Sequence, residues 1–465
     1  MKQRNGFAIL GFIILFLLVV LMVSILYFYP TKNSSSLKKY ETITVVNKSS
    51  TSNLSIDNAV NVKGNLKSGE AEPAQPKAIK KITSCDSIKE PGEYIMDADL
   101  IAYGNGCINL ESMNGIFIDC KGHMIKLDQE NKPLNEERMP ILGLKNIKNF
   151  SIRSCIIKII NPSSAPSTVV ISDSSDGSIS GNVFYDPNII SDGVDDFSIS
   201  LDYTSRISFS NNVVYGVYQQ HFSTNNLIEN NKFLPSLKTL KQLTDPIGLD
   251  HGSNNTIIKN QIDGKWDGSD PNLHVGADDG IAFAYESGDF IGYNDIKNNW
   301  DCGIESAGLI EDTQIISNHI TNSGVCGIGA WYWNSWKGNT VKDNIVDLAP
   351  QMFLFLRAYP LKAEEDAVYF IDNTFSNNRF LNPSDYISAT FAFKPYSGGG
   401  TKGGKADTTP YVVNNNHFSD NDFNRNVRAP FFGPSSMVFD DGGNICGEIA
   451  QGDYSNQADF PLKCR

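Results

Sequence analysis

The sequence predicts an all-β solenoid in which short strands stack coil upon coil. Two observations carry this. Between Ile281 and Val346 one unit recurs three times, each copy opening on Gly-Ile (Gly280-Ile281, Gly303-Ile304, Gly327-Ile328). Each closes on an apolar residue, two variable residues, Asn, one variable residue and an apolar residue, with Asn294, Asn318 and Asn344 spaced by 24 and 26 residues. A period in this range marks a chain whose repeats bury their apolar sides only by stacking on one another. Second, the apolar positions alternate with period two, are mostly β-branched or aromatic, and show no 3.6-residue face.

The same signature runs upstream through Asn182, Asn212, Asn231 and Asn260 and downstream through Asn373 and Asn416. Asn is a common turn residue. Recurring at one bend of every coil, it predicts a ladder in which each amide bonds its counterpart about 4.8 Å along the axis.

From the start of the chain, Lys2 and Arg4 precede an uncharged apolar run from Phe7 to Tyr29. At ~1.5 Å per residue this run spans a bilayer. Residues 1–6 are then a cytoplasmic tail and 7–29 a single-pass transmembrane anchor, with everything beyond outside the plasma membrane at the cell surface. A cleaved signal peptide is the alternative, against which stand the length of the run and the lack of a small-x-small site. Residues 30–82 are rich in Ser, Asn, Lys and Thr and read as a flexible linker. The solenoid follows over 83–440 and a disulfide-closed segment over 441–465. The net charge of −13 argues against nucleic acid or anionic lipid as partner.

Eight cysteines in an exported chain point to disulfides. Cys120 and Cys155 occupy the slot that Asn fills elsewhere, and Cys302 and Cys326 each follow their ladder Asn by eight residues, so both pairs stack at bonding distance. Cys85 with Cys107, and Cys446 with Cys464, take the remaining four.

Ile82-Thr83-Ser84-Cys85, Pro91-Gly92-Glu93-Tyr94, Cys107-Ile108 and the run Ile118-Asp119-Cys120-Lys121-Gly122-His123 resemble the opening coils of right-handed parallel β-helix repeat proteins of cell surfaces. That group resembles the pectin-lyase-like superfamily. The resemblance, over roughly 82–425, implies a right-handed parallel β-helix, here of about eleven coils after one transmembrane helix. It implies little about activity, because the scaffold hosts polysaccharide lyases, hydrolases, epimerases and proteins with no known activity.

Aligned on the ladder Asn, the coils place Gln220, Asp250, Ala284, Ala307, Trp331 and Arg357 on one outward strip. Asp202, His221, His251, Tyr285, Glu286, Glu305, Tyr332 and Trp333 lie beside it. Aromatic faces stack on sugars, while carboxylates and imidazoles move protons. The strip therefore reads as a polysaccharide groove, with Asp250, His251, Glu305 and Arg357 as catalytic candidates and His221, Tyr285, Trp331 and Trp333 as substrate contacts. The bland alternative is a solvated face. The long coil between Asn260 and Asn294 carries Asp263, Asp267, Asp270, His274, Asp278 and Asp279, of which Asp267, Asp270, Asp278 and Asp279 form a candidate Ca²⁺ set. Another long coil, between Asn373 and Asn416, holds two glycine runs and reads as a lid or linker. Asp278-Asp279 resembles the paired Asp of polygalacturonase-like hydrolases, but the Gly-His-Gly and Arg-Ile-Lys motifs are missing and Asp250-His251-Gly252 lies upstream. Two classes stay open: a membrane-anchored binder or modifier of polysaccharide, and a non-catalytic structural or adhesive surface protein.

Overall fold

The computed structural model describes residues 79–103, 106–128, 140–160, 168–185, 198–234, 245–268, 276–330, 335–356, 368–382, 389–392, 411–423 and 438–445. The proposed anchor, most of the linker, Trp331, Tyr332, Trp333, Arg357, Asp270, His274, Cys446 and Cys464 lie outside them. No helix occurs among the described residues, and none there is long and apolar enough to cross a membrane.

Every strand pairing is parallel, and the strands form three sheets. The first stacks 14 strands, from Lys80–Ile82 to Val438–Gly442. The second runs from Ile108–Glu111 to Ala389–Ala392, and the third, of 11 strands, from Leu100–Tyr103 to Arg379–Phe380. One coil shows the path. Ile281–Ser287 lies in the second sheet, Phe290–Gly292 in the first and Asp295–Asn299 in the third, after which Cys302–Glu311 re-enters the second. This is a parallel β-helix.

Inward side chains stack in like-on-like columns, because a parallel register sets equivalent residues one strand spacing apart. In the first sheet Ile228, Ile257, Ile291, Ile315, Val341 and Phe375 form one such column, all fully buried. Ile247, Ile281, Ile304 and Ile328 form another in the second. β-branched residues suit this packing because they are stiff and fill the pleat.

The Asn ladder runs through Asn182, Asn212, Asn231, Asn260, Asn294, Asn318, Asn344, Asn378, Asn421 and Asn444. Each Nδ2 donates to the next Oδ1 at 2.9–3.1 Å. The next Oδ1 also accepts the backbone N–H, and Nδ2 donates to a carbonyl of the coil before, as from Asn318 to Ile291. No buried amide here lacks its partners. Asn373 and Asn416, expected in this ladder, belong to a second. It holds Asn226, Asn255, Asp289, Thr313, Asn339, Asn373 and Asn416, each five residues before a member of the first. The same local pattern, apolar-x-x-Asn-x-apolar, fits both rows, so the pattern alone does not separate them.

Disulfides close Cys85–Cys107, Cys120–Cys155 and Cys302–Cys326, with Cα separations of 4.4, 4.8 and 4.5 Å. Cys155 does sit in the ladder slot: its N–H donates to Asn182 Oδ1 at 2.9 Å.

Candidate functional site

The outward face of the second sheet has two parallel rows. One reads Asp202, His221, Asp250, Ala284, Ala307; the other, two residues earlier in each strand, reads Ser200, Gln219, Gly248, Ala282, Glu305, Gly329. Gly248, Ala282, Ala284 and Ala307 are small; the Gln219 side chain lies over Gly248, and the space above the three alanines stays open. A cavity of about 320 Å³ opens there, walled by Gln219, His221, Asp245, Asp250, Asp279 and Glu305.

Two residues expected on this face point inward. Gln220 is fully buried because its register partners are Leu201 and Leu249. Glu286 is buried because the left-handed backbone at Tyr285 breaks the alternation after Ala284; the extra residue of the register shift lies in the next coil, where Gly308 and Leu309 stand opposite Tyr285.

At the cavity the chain gathers five carboxylates from three successive coils: Asp245, Asp278, Asp279 and Asp301 from the corners that lead into the strands, and Glu305 from within the third strand. Carboxylate oxygens of Asp279, Asp301 and Glu305 lie within 4.8 Å of one another, as do those of Asp245, Asp278 and Asp279. The Asp279 N–H donates to Asp245 Oδ1, and the Cys302 N–H donates to Asp279 Oδ1, both at 3.0 Å. The Cys302–Cys326 disulfide pins the adjoining strands. Asp245, Asp301 and Glu305 each keep some exposed surface, yet their carboxyl groups are screened from water. Glu305 Oε2 is buried with no hydrogen-bond partner. Loss of solvation, then repulsion from neighbouring carboxylates, pushes Asp245 up to about 7 and Asp301 up to about 8. The same causes hold Asp279 and Glu305 well above the usual carboxylate range. Perturbed groups of this kind in a cleft make it the candidate functional site.

At the edge of the sheet, one turn per coil places a residue in the left-handed backbone region. In the early coils it is Ser112, Asn146 and Asp173, small polar residues for that role. In the next four it is Tyr203, Phe222, His251 and Tyr285, with φ between 49° and 57°. Their rings form one file: Tyr203 stacks on Phe222 at 4.9 Å, Phe222 lies 5.1 Å from His251, and His251 stacks on Tyr285 at 4.4 Å. The file stops at Gly308, where a Cβ would stand 2.8 Å from the Tyr285 ring. Tyr203 is 61% and Phe222 46% exposed.

The structure therefore brings together His221, Asp250, His251, Tyr285, Glu305, Asp278 and Asp279 from the sequence-derived set. His251 Nδ1 lies 2.7 Å from Asp250 Oδ1, and His221 faces Asp202 at 3.9 Å. Asp267 is exposed and is not among the residues gathered at Asp279, while Asp263 is engaged with Lys265 and Asn298. Four residues escaped the sequence reading. Asp245 and Asp301 precede their strands and lie outside the repeat pattern. Tyr203 and Phe222 occupy a turn slot that earlier coils fill with polar residues, and that column was the signal available.

Three parallel sheets wound as one coil, with an open cleft on the second, define a parallel β-helix protein. The model of a family described as "Periplasmic copper-binding protein (NosD)" matches residues 130–352, the coils that carry the cleft. No curated protein matches the sequence. Among solved structures the chain is similar to the mannuronan C-5 epimerase AlgE6 A-module of Azotobacter vinelandii (12% identity, 77% of this chain and 92% of that one, TM-score 0.40). It is also similar to PfbA, a surface adhesin of Streptococcus pneumoniae (12%, 77% and 82%, 0.41), and to an alginate lyase of Paenibacillus (13%, 72% and 97%, 0.35). Likenesses at these values carry no argument about activity.

Proposed function

We propose that this domain binds a polysaccharide along the outer face of its second sheet and modifies it by carboxyl acid–base chemistry. The observation that carries the reading is the file Tyr203, Phe222, His251 and Tyr285. A left-handed backbone costs a bulky residue about 1–2 kcal/mol, and the same turn in other coils is made with Ser, Asn or Asp. The scaffold has no need of the rings, whereas exposed flat rings in a row suit the faces of sugar units. In the adjoining cavity Glu305, whose proton burial and the neighbouring carboxylates hold more tightly than usual, is placed to give a proton, and the Asp250–His251 pair to take one.

The carboxylates around Asp279 also fit a hard cation. All the donors are oxygens, as Ca²⁺ requires, and Glu305 Oε2 lacks any other partner. Asp245, Asp278, Asp279, Asp301 and Glu305 would hold it, and it would supply neutralisation of a uronate carboxylate. The matching family description brings copper as a second candidate. His221 is the one imidazole on the cavity wall and Cys302 is closed in a disulfide, so the donors suit Cu(II) rather than Cu(I). We place the domain outside the plasma membrane, held by the apolar segment 7–29. Three disulfides support an oxidising compartment.

The test is a screen of acidic and neutral polysaccharides for binding and for product, run with added Ca²⁺, with added Cu²⁺ and with chelator. Binding of at least one polymer, with its chain cleaved or epimerised, is expected. Binding without product would leave an adhesive protein, and no binding at all would overturn the reading.

A further inference from the structure

Behind the ring file lies a second pair of carboxylates, separate from the cavity. Glu286 and Asp289 are each 1% exposed. Asp289 stands in the second ladder, where Asn226, Asn255, Asn339 and Asn373 stand in other coils. It accepts the Asn255 N–H on Oδ1 at 2.6 Å, as a ladder Asn would. An Asn there would also have an amide to donate, and Asp289 has none. Glu286 fills the gap: its Oε2 accepts from Asn255 Nδ2 at 3.2 Å, and the carboxylate also accepts the Gly252 N–H. That leaves Glu286 Oε1 and Asp289 Oδ2, both buried and without any donor, on carboxylates in contact with each other. Two acceptors in contact and out of water need a hydrogen between them.

We propose that Glu286 and Asp289 share one proton, and that this proton locks the turns carrying His251 and Tyr285. Glu286 directly follows Tyr285, and Gly252, which it holds, directly follows His251. A Cβ on residue 252 would stand 2.7 Å from Glu286 Oε1, so the turn and the carboxyl are fitted to each other. The groups acting on the pair are Gly252 and Asn255 from the coil before, and no basic side chain is among them. Ile310, paired with Glu286 from the coil after, is apolar. His251 and Tyr285, on the same turns, turn their rings to the outside. Burial, together with the neighbouring carboxylate for Glu286, pushes Glu286 up to about 10 and Asp289 up to about 6. Both are raised acids, so the stability they lend is complete below the unfolded values and is lost as pH rises. Between about pH 6 and 10 the folded pair keeps one proton that the opened segment has released.

Amide hydrogen exchange at residues 252–256 and 286–290, corrected for the intrinsic rate, reads this lock without any ligand, so it stands or falls apart from the glycan reading. In the wild-type full chain the opening constant should rise about tenfold per pH unit between pH 7 and 9, the slope of one proton. Glu286→Gln places an amide donor where the shared proton lies and has no proton to lose. Its opening constant should be flat over that range. Asp289→Asn, which restores an ordinary ladder residue, should flatten it too and serves if the first variant folds poorly. A flat wild-type profile overturns the proposal, and so does an unchanged slope in either variant.

Discussion

The Asn ladder and the acid cavity are both rows of buried polar groups on consecutive coils, yet they are built on opposite terms. The Asn318 side chain makes or accepts four bonds: two from Asn294, one to Ile291 and one to Asn344. Asp245, Asp279, Asp301 and Glu305 face one another with like charge, and a buried oxygen of Glu305 has no partner. The ladder shows what the fold needs in order to stack. The cavity departs from that rule where the outward residues are small and a ligand can enter, which is where the proposed function places its chemistry.

The contrast can be broken at either end. The largest effect is expected in the ladder. Asn318→Ala leaves the Asn294 N–H and the Ile291 carbonyl buried without partners, at a cost of about 2–6 kcal/mol in denaturant unfolding. If it costs no more than a surface change, the ladder is not what holds the coils. The next effect is opposite in kind. The cavity carboxyls have raised values when folded, so the stability they lend is present below their unfolded values and is lost as pH rises through about 7 for Asp245 and about 8 for Asp301. Unfolding at pH 8 should be easier than at pH 5 by about 2–4 kcal/mol, allowing for partial exposure. A chain most stable at pH 8 would contradict this, unless an added cation produced that stability. Smaller again, Glu305→Gln removes one buried charge and should raise stability at pH 8 by about 1 kcal/mol while abolishing any stabilisation by Ca²⁺. Loss of stability in this variant would mean that Glu305 has a structural partner.

The two regions were also unequally legible in the sequence. The stacking was plain because every coil repeats it, and Cys120–Cys155 and Cys302–Cys326 followed from the same register. The repeat also misled, since two ladders five residues apart share one pattern and drew Asn373 and Asn416 into the wrong row. The cleft was visible only in pieces. Asp250, Glu305 and Asp279 were singled out, but Asp245 and Asp301 meet them only when three coils stack. The left-handed turn at Tyr285, which points Glu286 inward, leaves no mark in the residue pattern. Phe222 and Tyr203 were hidden for a related reason, because their backbone conformation becomes visible only in the structure.

The central claim is that the ring file is kept for a ligand and not for the fold. Phe222→Asn tests it, because Asn146 already serves the same turn three coils earlier. Titration of the bound polysaccharide against both proteins should show affinity weakened about 5- to 30-fold, the loss of one aromatic contact, with unfolding unchanged or slightly harder. Equal affinity in a variant that unfolds like the wild type would contradict the account.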